Sequence, residues 1–193
     1  METLVFATNN ANKVKEIRKV LGDRFQMLTL KEAGIDIDIP EPHDTLEENA
    51  REKAETIHKI TGSNCFSEDS GLEVGALNGE PGVKSARYSG DNASDKTNIQ
   101  KLLANLKDAE DRTAQFRTVI CLIWDNETYF FEGVCRGRIA DELKGSEGFG
   151  YDPVFIPDGD TRRFAEMEMD EKNKFSHRKN AMDKLVRFLE NNP

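Results

Sequence analysis

Two long runs of strand-forming residues, Phe116 to Trp124 and Thr128 to Ile139, flank Asp125-Asn126-Glu127. Polar turn residues between two such runs predict a hairpin, the clearest pairing in the chain. The remaining segments alternate between short strands and helices. Leu4 to Thr8 reads as a buried strand, and Val14, Ile17, Val20 and Leu21 then share one face of a helix closed by Gly22. Phe25 to Leu30 reads as a second strand. Thr45-Leu46-Glu47-Glu48 has capping-box spacing and opens a helix running to about Thr61, before Gly62. Ser94 caps a helix with Ile99, Leu102, Leu103 and Leu106 on one face, and Val154-Phe155-Ile156 reads as a last short strand. A final helix points Met182, Leu185, Phe188 and Leu189 inward. Interleaved strands and helices are compatible with an α/β fold but do not by themselves fix one.

The 193 residues suit one domain, and no repeat or linker divides them. Charged residues make up 33% of the chain and its formal net charge is -9, so non-specific binding to nucleic acid is not expected. A small anionic ligand remains open, because local cations can oppose the global sign. Cys65, Cys121 and Cys135 form no Cys-x-x-Cys pair, which gives no support to a zinc ribbon and fits a reducing compartment. The first residues lead straight into a strand, with no basic leader, apolar signal core or spanning segment. Neither export nor membrane insertion is expected, and the cytoplasm is the expected location.

Ser67-Glu68-Asp69-Ser70-Gly71-Leu72 places two acids at the end of a strand, before a glycine that lets the chain turn sharply. Taken alone, this is a solvated acidic turn. With cations arriving from elsewhere it becomes a site for Mg²⁺, which usually takes one or two carboxylates plus substrate phosphates. Thr8-Asn9-Asn10-Ala11-Asn12-Lys13 forms a polar loop at a helix start, where free N–H groups and Lys13 suit an anion, although an ordinary cap explains the same residues. Ile35 to Pro42 alternates apolar and acidic residues. It reads as an edge strand with a charged outer face, or as a segment that presents Glu41 between two prolines. Asn49 and Lys53 share a helix face, and Lys53 is either a surface lysine or a phosphate contact. Phe149, between Gly148 and Gly150, either plugs its loop or offers a face to a planar ligand. Ser176 can cap the last helix, which puts His177 and Arg178 where cations oppose the helix dipole and suggests a ligand.

With Thr8-Asn9-x-x-Asn12-Lys13, Thr45-x-x-Glu48-Asn49-Ala50, Ser67 to Leu72, Pro81-Gly82-Val83-x-Ser85-Ala86-Arg87-Tyr88, Gly148-Phe149-Gly150-Tyr151-Asp152-Pro153 and Ser176-His177-Arg178, the chain resembles the Ham1/ITPase family of nucleoside triphosphate pyrophosphatases. The six motifs stand in the family's order across almost the whole chain, as one domain over residues 1–193. Leu46 departs from the aromatic that many relatives carry there. The resemblance implies an elongated two-lobed fold, with a long twisted mixed sheet flanked by helices and a central cleft. It implies Mg²⁺-dependent cleavage of ITP, dITP and XTP to the monophosphate and pyrophosphate, by a homodimer.

Asp69, with Glu41 or Glu68, is expected to hold the metal, Glu41 being preferred over Asp38 and Asp44. Asp69 is also the expected acceptor of the attacking water's proton. Lys13, Lys53 and Lys172 are expected to neutralise the triphosphate, with Ser70, Thr8 and the amides of Asn9, Asn10 and Asn12 as neutral donors. Phe149, with Gly150 and Tyr151 in its loop, is expected to stack on the base. Arg178 and His177 offer donors to O6, and Asp152 accepts from N1–H. The alternatives are a Maf-type pyrophosphatase with another base preference and a nucleotide-binding sensor without catalysis.

Overall fold

The computed structural model describes residues 3–23 and 25–192. The strands are β1 Thr3–Phe6, β2 Gln26–Thr29, β3 Cys65–Val74, β4 Thr113–Trp124, β5 Glu127–Ile139 and β6 Phe155–Pro157. The helices are α1 Ala11–Leu21, α2 Leu46–Thr61, α3 Asp95–Asn105, α4 Met169–Lys172 and α5 His177–Asn191. One mixed sheet takes the order β2-β1-β3-β4-β5-β6, with β1 parallel to β2 and β3, and β5 antiparallel to β6. The fold is α/β, as the resemblance implies.

The chain forms two compact units. The first comprises Met1–Asp69, Thr118–Gly133 and Arg178–Pro193, and the second comprises Ser70–Arg117 and Val134–His177. Each has its own apolar core. In the first, Leu4, Phe6, Ile17, Phe66, Ile120 and Leu122 pack with Met182, Leu185 and Leu189. Phe6 and Phe66, partners in the β1–β3 register, stack with ring centroids 4.6 Å apart. In the second, Leu72, Val74, Ile99 and Leu102 pack with Phe116, Phe155 and Phe164. Trp124 is core, as its place at a strand end suggests.

Local signals set most boundaries. Asn10 caps α1, Thr45 caps α2, and Ser94 forms a reciprocal capping box with Thr97 at the start of α3. The hairpin turn is shorter than predicted. Asp125 and Asn126, with φ of 51° and 67°, make a two-residue turn whose twist matches the strands, so Glu127 begins β5.

Two readings need correction. Residues 35–42 form no strand, although their alternation survives: Ile35, Ile37, Ile39 and Glu41 are half-buried, while Asp36, Asp38, Pro40 and Pro42 are exposed. Glu41 therefore shares the inward side with the isoleucines. Nor does the chain turn at Gly71, because β3 runs on to Val74. Glycine is required there for a different reason. A Cβ would stand 2.4 Å from the Gly82 carbonyl oxygen, so a side chain would collide with backbone.

Candidate active site

The first unit gathers charge around the middle of β3, at Glu68 and Asp69. On β3, Ser67 donates to the Ala50 carbonyl, the Cys65 thiol to that of Ala54, and Lys53 Nζ to that of Glu68 at 2.9 Å. These contacts fix β3 against α2. Lys53 also meets Glu41 Oε1 at 2.5 Å and Asp69 Oδ1 at 3.5 Å. Burial disfavours the Lys53 charge, but Asp69, Glu41 and Glu68 outweigh it and raise the ammonium's pKa.

Glu68 faces the other way. Its buried carboxylate meets Lys13 Nζ and Arg178 Nη2, each at 3.1 Å. Burial pushes this carboxyl up, yet Arg178, Lys13 and Lys53 prevail and hold it well below its usual range. Arg178 also pairs with Glu16 of α1. Its guanidinium, expected at O6 of a base, therefore spends donors on two carboxylates inside the first unit. Glu16 has no counterpart in the sequence reading. It lies three residues after Lys13 on α1, and only the fold supplies its partner.

Asp69 is the least compensated member. Lys13, Lys53 and Arg178 face four carboxylates, those of Glu16, Glu41, Glu68 and Asp69. Asp69 is buried, and among the described residues its Oδ2 has no hydrogen-bond partner. Burial pushes its carboxyl up to about 6, beyond the opposing pull of Lys53 and Lys13, with Glu41 and Glu68 adding to the rise. A buried anionic oxygen without a donor costs free energy unless a cation completes it. The surplus carboxylate and the open oxygen fit a hard divalent ion. Among the described residues no group of three or more His, Cys, Asp or Glu is placed to hold a metal. Mg²⁺ does not require one, because it takes one or two carboxylates and completes its shell with water and phosphate.

The polar loop before α1 closes on itself. Asn10 Oδ1 accepts from the Asn12 and Lys13 amides at 3.0 and 3.2 Å, and the Thr8 hydroxyl accepts from the Asn10 amide at 3.1 Å. Asn9 Nδ2 donates to the Ile37 carbonyl at 2.9 Å. Ser70 is half-buried on β3, directly after Asp69.

The second unit has a different site. Gly148 and Gly150 take left-handed φ of 71° and 61°, and a Cβ on Gly148 would lie 2.0 Å from Asp152 Oδ2. That same oxygen accepts from the Phe149 amide at 3.1 Å and from Lys172 Nζ at 2.7 Å. Lys172, expected on the triphosphate, is buried here with its ammonium 5.3 Å from the Phe149 ring centroid and 5.4 Å from that of Phe164. The Gly150 amide donates to Asp95 at 2.9 Å and the Tyr151 hydroxyl to the Ser85 carbonyl at 2.7 Å. Asp95 was not singled out from sequence, and Ser85 entered only as part of the Pro81–Tyr88 motif. Phe149 is half-buried, and the His177 imidazole, itself buried, stacks on Phe116 with centroids 4.7 Å apart.

Comparison with known proteins accords with the six motifs. The Ham1 family model matches residues 4–188. A protein named dITP/XTP pyrophosphatase from Porphyromonas gingivalis is 52% identical over 190 residues, covering 98% of this chain and 98% of that one. Another of the same name, from Christiangramia forsetii, is 47% identical over 186 residues, covering 96% and 98%. Among solved structures, the Staphylococcus aureus Ham1 protein superposes with a TM-score of 0.90 at 41% identity, covering 100% of both chains. A HAM1 protein from Coxiella burnetii gives 0.91 at 39% identity, covering 99% of this chain and 100% of that one.

Proposed function

The chain belongs to the Ham1 family, and from this we propose that it hydrolyses non-canonical purine nucleoside triphosphates, ITP, dITP and XTP, to the monophosphate and pyrophosphate. The observation that carries the reading is Asp69, a buried carboxylate with a raised pKa and an open oxygen among lysines. Residues 1–193 act as one pyrophosphatase domain.

The chemistry divides between the two sets of residues. Asp69, with Glu41, would hold Mg²⁺, and Glu68 stands as the alternative second ligand. When bound, Mg²⁺ neutralises phosphate oxygens and acidifies water. Asp69 accepts the proton of the attacking water, for which a carboxyl near 6 is better suited than an ordinary one. Lys53 and Lys13 bind the triphosphate, with Ser70, Thr8 and the loop Asn9, Asn10 and Asn12 supplying neutral contacts. Most of the catalytic work is placement and electrostatics. Arg178 holds Glu68, which in turn seats Lys13.

Phe149 stacks on the base, in the loop of Gly150 and Tyr151. Lys172 and Asp152, 2.7 Å apart, present a donor beside an acceptor. A 6-keto purine presents the complement, O6 beside N1–H. Adenine reverses both positions, so each contact fails, and a mismatch in a dry site can cost on the order of 10⁴ in selectivity. Lys172 thus takes the O6 role first expected of Arg178, and His177 flanks the same site.

No helix among the described residues is long and apolar enough to cross a membrane. A cytoplasmic homodimer completes the proposal, and sedimentation tests the dimer. The reaction itself is tested by product analysis with Mg²⁺ and ITP, XTP, GTP or ATP. Pyrophosphate with IMP or XMP, and little from ATP or GTP, is the expected result; guanine shares the 6-keto edge, so its rejection rests on its 2-amino group and not on the Lys172–Asp152 pair. Orthophosphate as the product would overturn the proposed reaction.

A further inference from the structure

Asn49 is fully buried on α2. Its side chain pairs with both backbone groups of one residue. Oδ1 accepts from the His43 amide at 2.9 Å, and Nδ2 donates to the His43 carbonyl at 3.1 Å. The amide's orientation follows from its partners, since the N–H must meet an oxygen and the carbonyl an N–H. One strand residue would pair with another in the same way, but residues 35–42 have no ladder.

His43 lies two residues from Glu41, with Pro42 between them. Pro40 and Pro42 fix φ on either side of Glu41, so a backbone held at His43 transmits its position to that carboxylate. One turn along α2, Lys53 receives the carboxylate of Glu41 and also meets Asp69 and the Glu68 carbonyl. Residues 49 and 53 therefore grip one arm at two points, by its backbone and by its acid. We propose that Asn49 is a positioning residue for the reaction, holding the Pro40–His43 arm so that the Glu41 carboxylate stays at Lys53 beside Asp69. This rests on the reading of Glu41 as part of the metal and phosphate site.

The test uses the full chain and the isosteric variant Asn49→Asp, which keeps an acceptor for the His43 amide but sets an oxygen against the His43 carbonyl. In metal-free protein, hydrogen exchange at the His43 amide should speed up while the amides of β3 keep their protection. With ITP and Mg²⁺, kcat should fall about 10- to 100-fold with KM little changed, the scale set by a misplaced group near the chemistry. In a Glu41→Gln background the same change should add almost nothing, because the arm then has no acid to place. Pro42→Gly loosens the arm from an exposed position, and serves if Asn49→Asp does not fold. It should lower kcat in native protein and not in the Glu41→Gln background. A full loss in both backgrounds would make Asn49 a structural brace only and overturn the proposal. Full activity in Glu41→Gln alone would remove the arm from the reaction, and the proposal with it. Failure of the pyrophosphatase reading shows separately, as native protein that releases no pyrophosphate from ITP.

Discussion

In the first unit Lys13, Lys53 and Arg178 meet Glu16, Glu41, Glu68 and Asp69 in a connected network of buried and half-buried groups. In the second, Lys172 and Asp152 pair among aromatic rings, beneath a loop shaped by two left-handed glycines. The first arrangement leaves a carboxylate oxygen open and a charge uncompensated. In the second, Asp152 is tied to an ammonium and a backbone amide, and Phe149 is left half-buried. A triphosphate with its metal needs a site that exchanges charge. A purine base needs a flat apolar face and a fixed donor beside a fixed acceptor. The two units accordingly differ in kind of chemistry, and variants in each should fail differently.

The largest effect is expected from Asp69→Asn, which removes the proposed base and a proposed metal ligand together. Turnover should fall by at least about 10³-fold for ITP with far-ultraviolet circular dichroism unchanged. Near-native turnover in a folded variant would place the chemistry elsewhere. Next is Lys53→Met, which strips the proposed phosphate contact and unpairs Glu41. Loss of a positioned electrostatic contact of this kind costs about 10²-fold in kcat/KM, and ITP and ATP should fall alike. Unequal losses would blur the division between units. Phe149→Ala should raise KM for ITP about 10-fold with kcat less affected, as expected when a stacking face is lost.

The smallest effect concerns stability and carries the opposite sign. The Asp69 carboxyl moves from 3.8 to about 6 on folding. A raised folded pKa means that folding favours the protonated acid, so its contribution is full below pH 3.8 and is lost as pH rises through about 6. At neutral pH the charged acid costs metal-free protein at most about 3 kcal/mol. Asp69→Asn should therefore match or exceed native Tm at pH 7, and its advantage should shrink as pH falls to 4. Glu68 runs the other way: its lowered pKa gives stability above its ordinary 4.5 that is lost on acidification. A Tm advantage independent of pH would contradict the account of Asp69.

Elements governed by near neighbours were legible in the sequence. Thr45 and Ser94 cap helices where their spacing says they should, and the polar loop before Lys13 supplies a cap, at Asn10. Contacts set by topology were not legible. Arg178 finds Glu16 across 162 positions and Glu68 across 110, and no local pattern announces either. Gly71 misled for a related reason, since a glycine needed for close backbone approach looks the same in sequence as one needed for a turn. The lysines divided as well. Lys13 and Lys53 joined the carboxylates of the first unit, whereas Lys172 went to Asp152.

The division of labour is tested most directly by kcat/KM for ITP and for ATP in Asp152→Asn. The substitution keeps shape but turns a charged acceptor into an amide that can donate. The ITP preference over ATP should collapse by about 10²-fold or more, mostly through loss of ITP cleavage. Equal losses on both substrates, with the preference intact, would contradict base reading by the Lys172–Asp152 pair and with it the separation of roles between the two units.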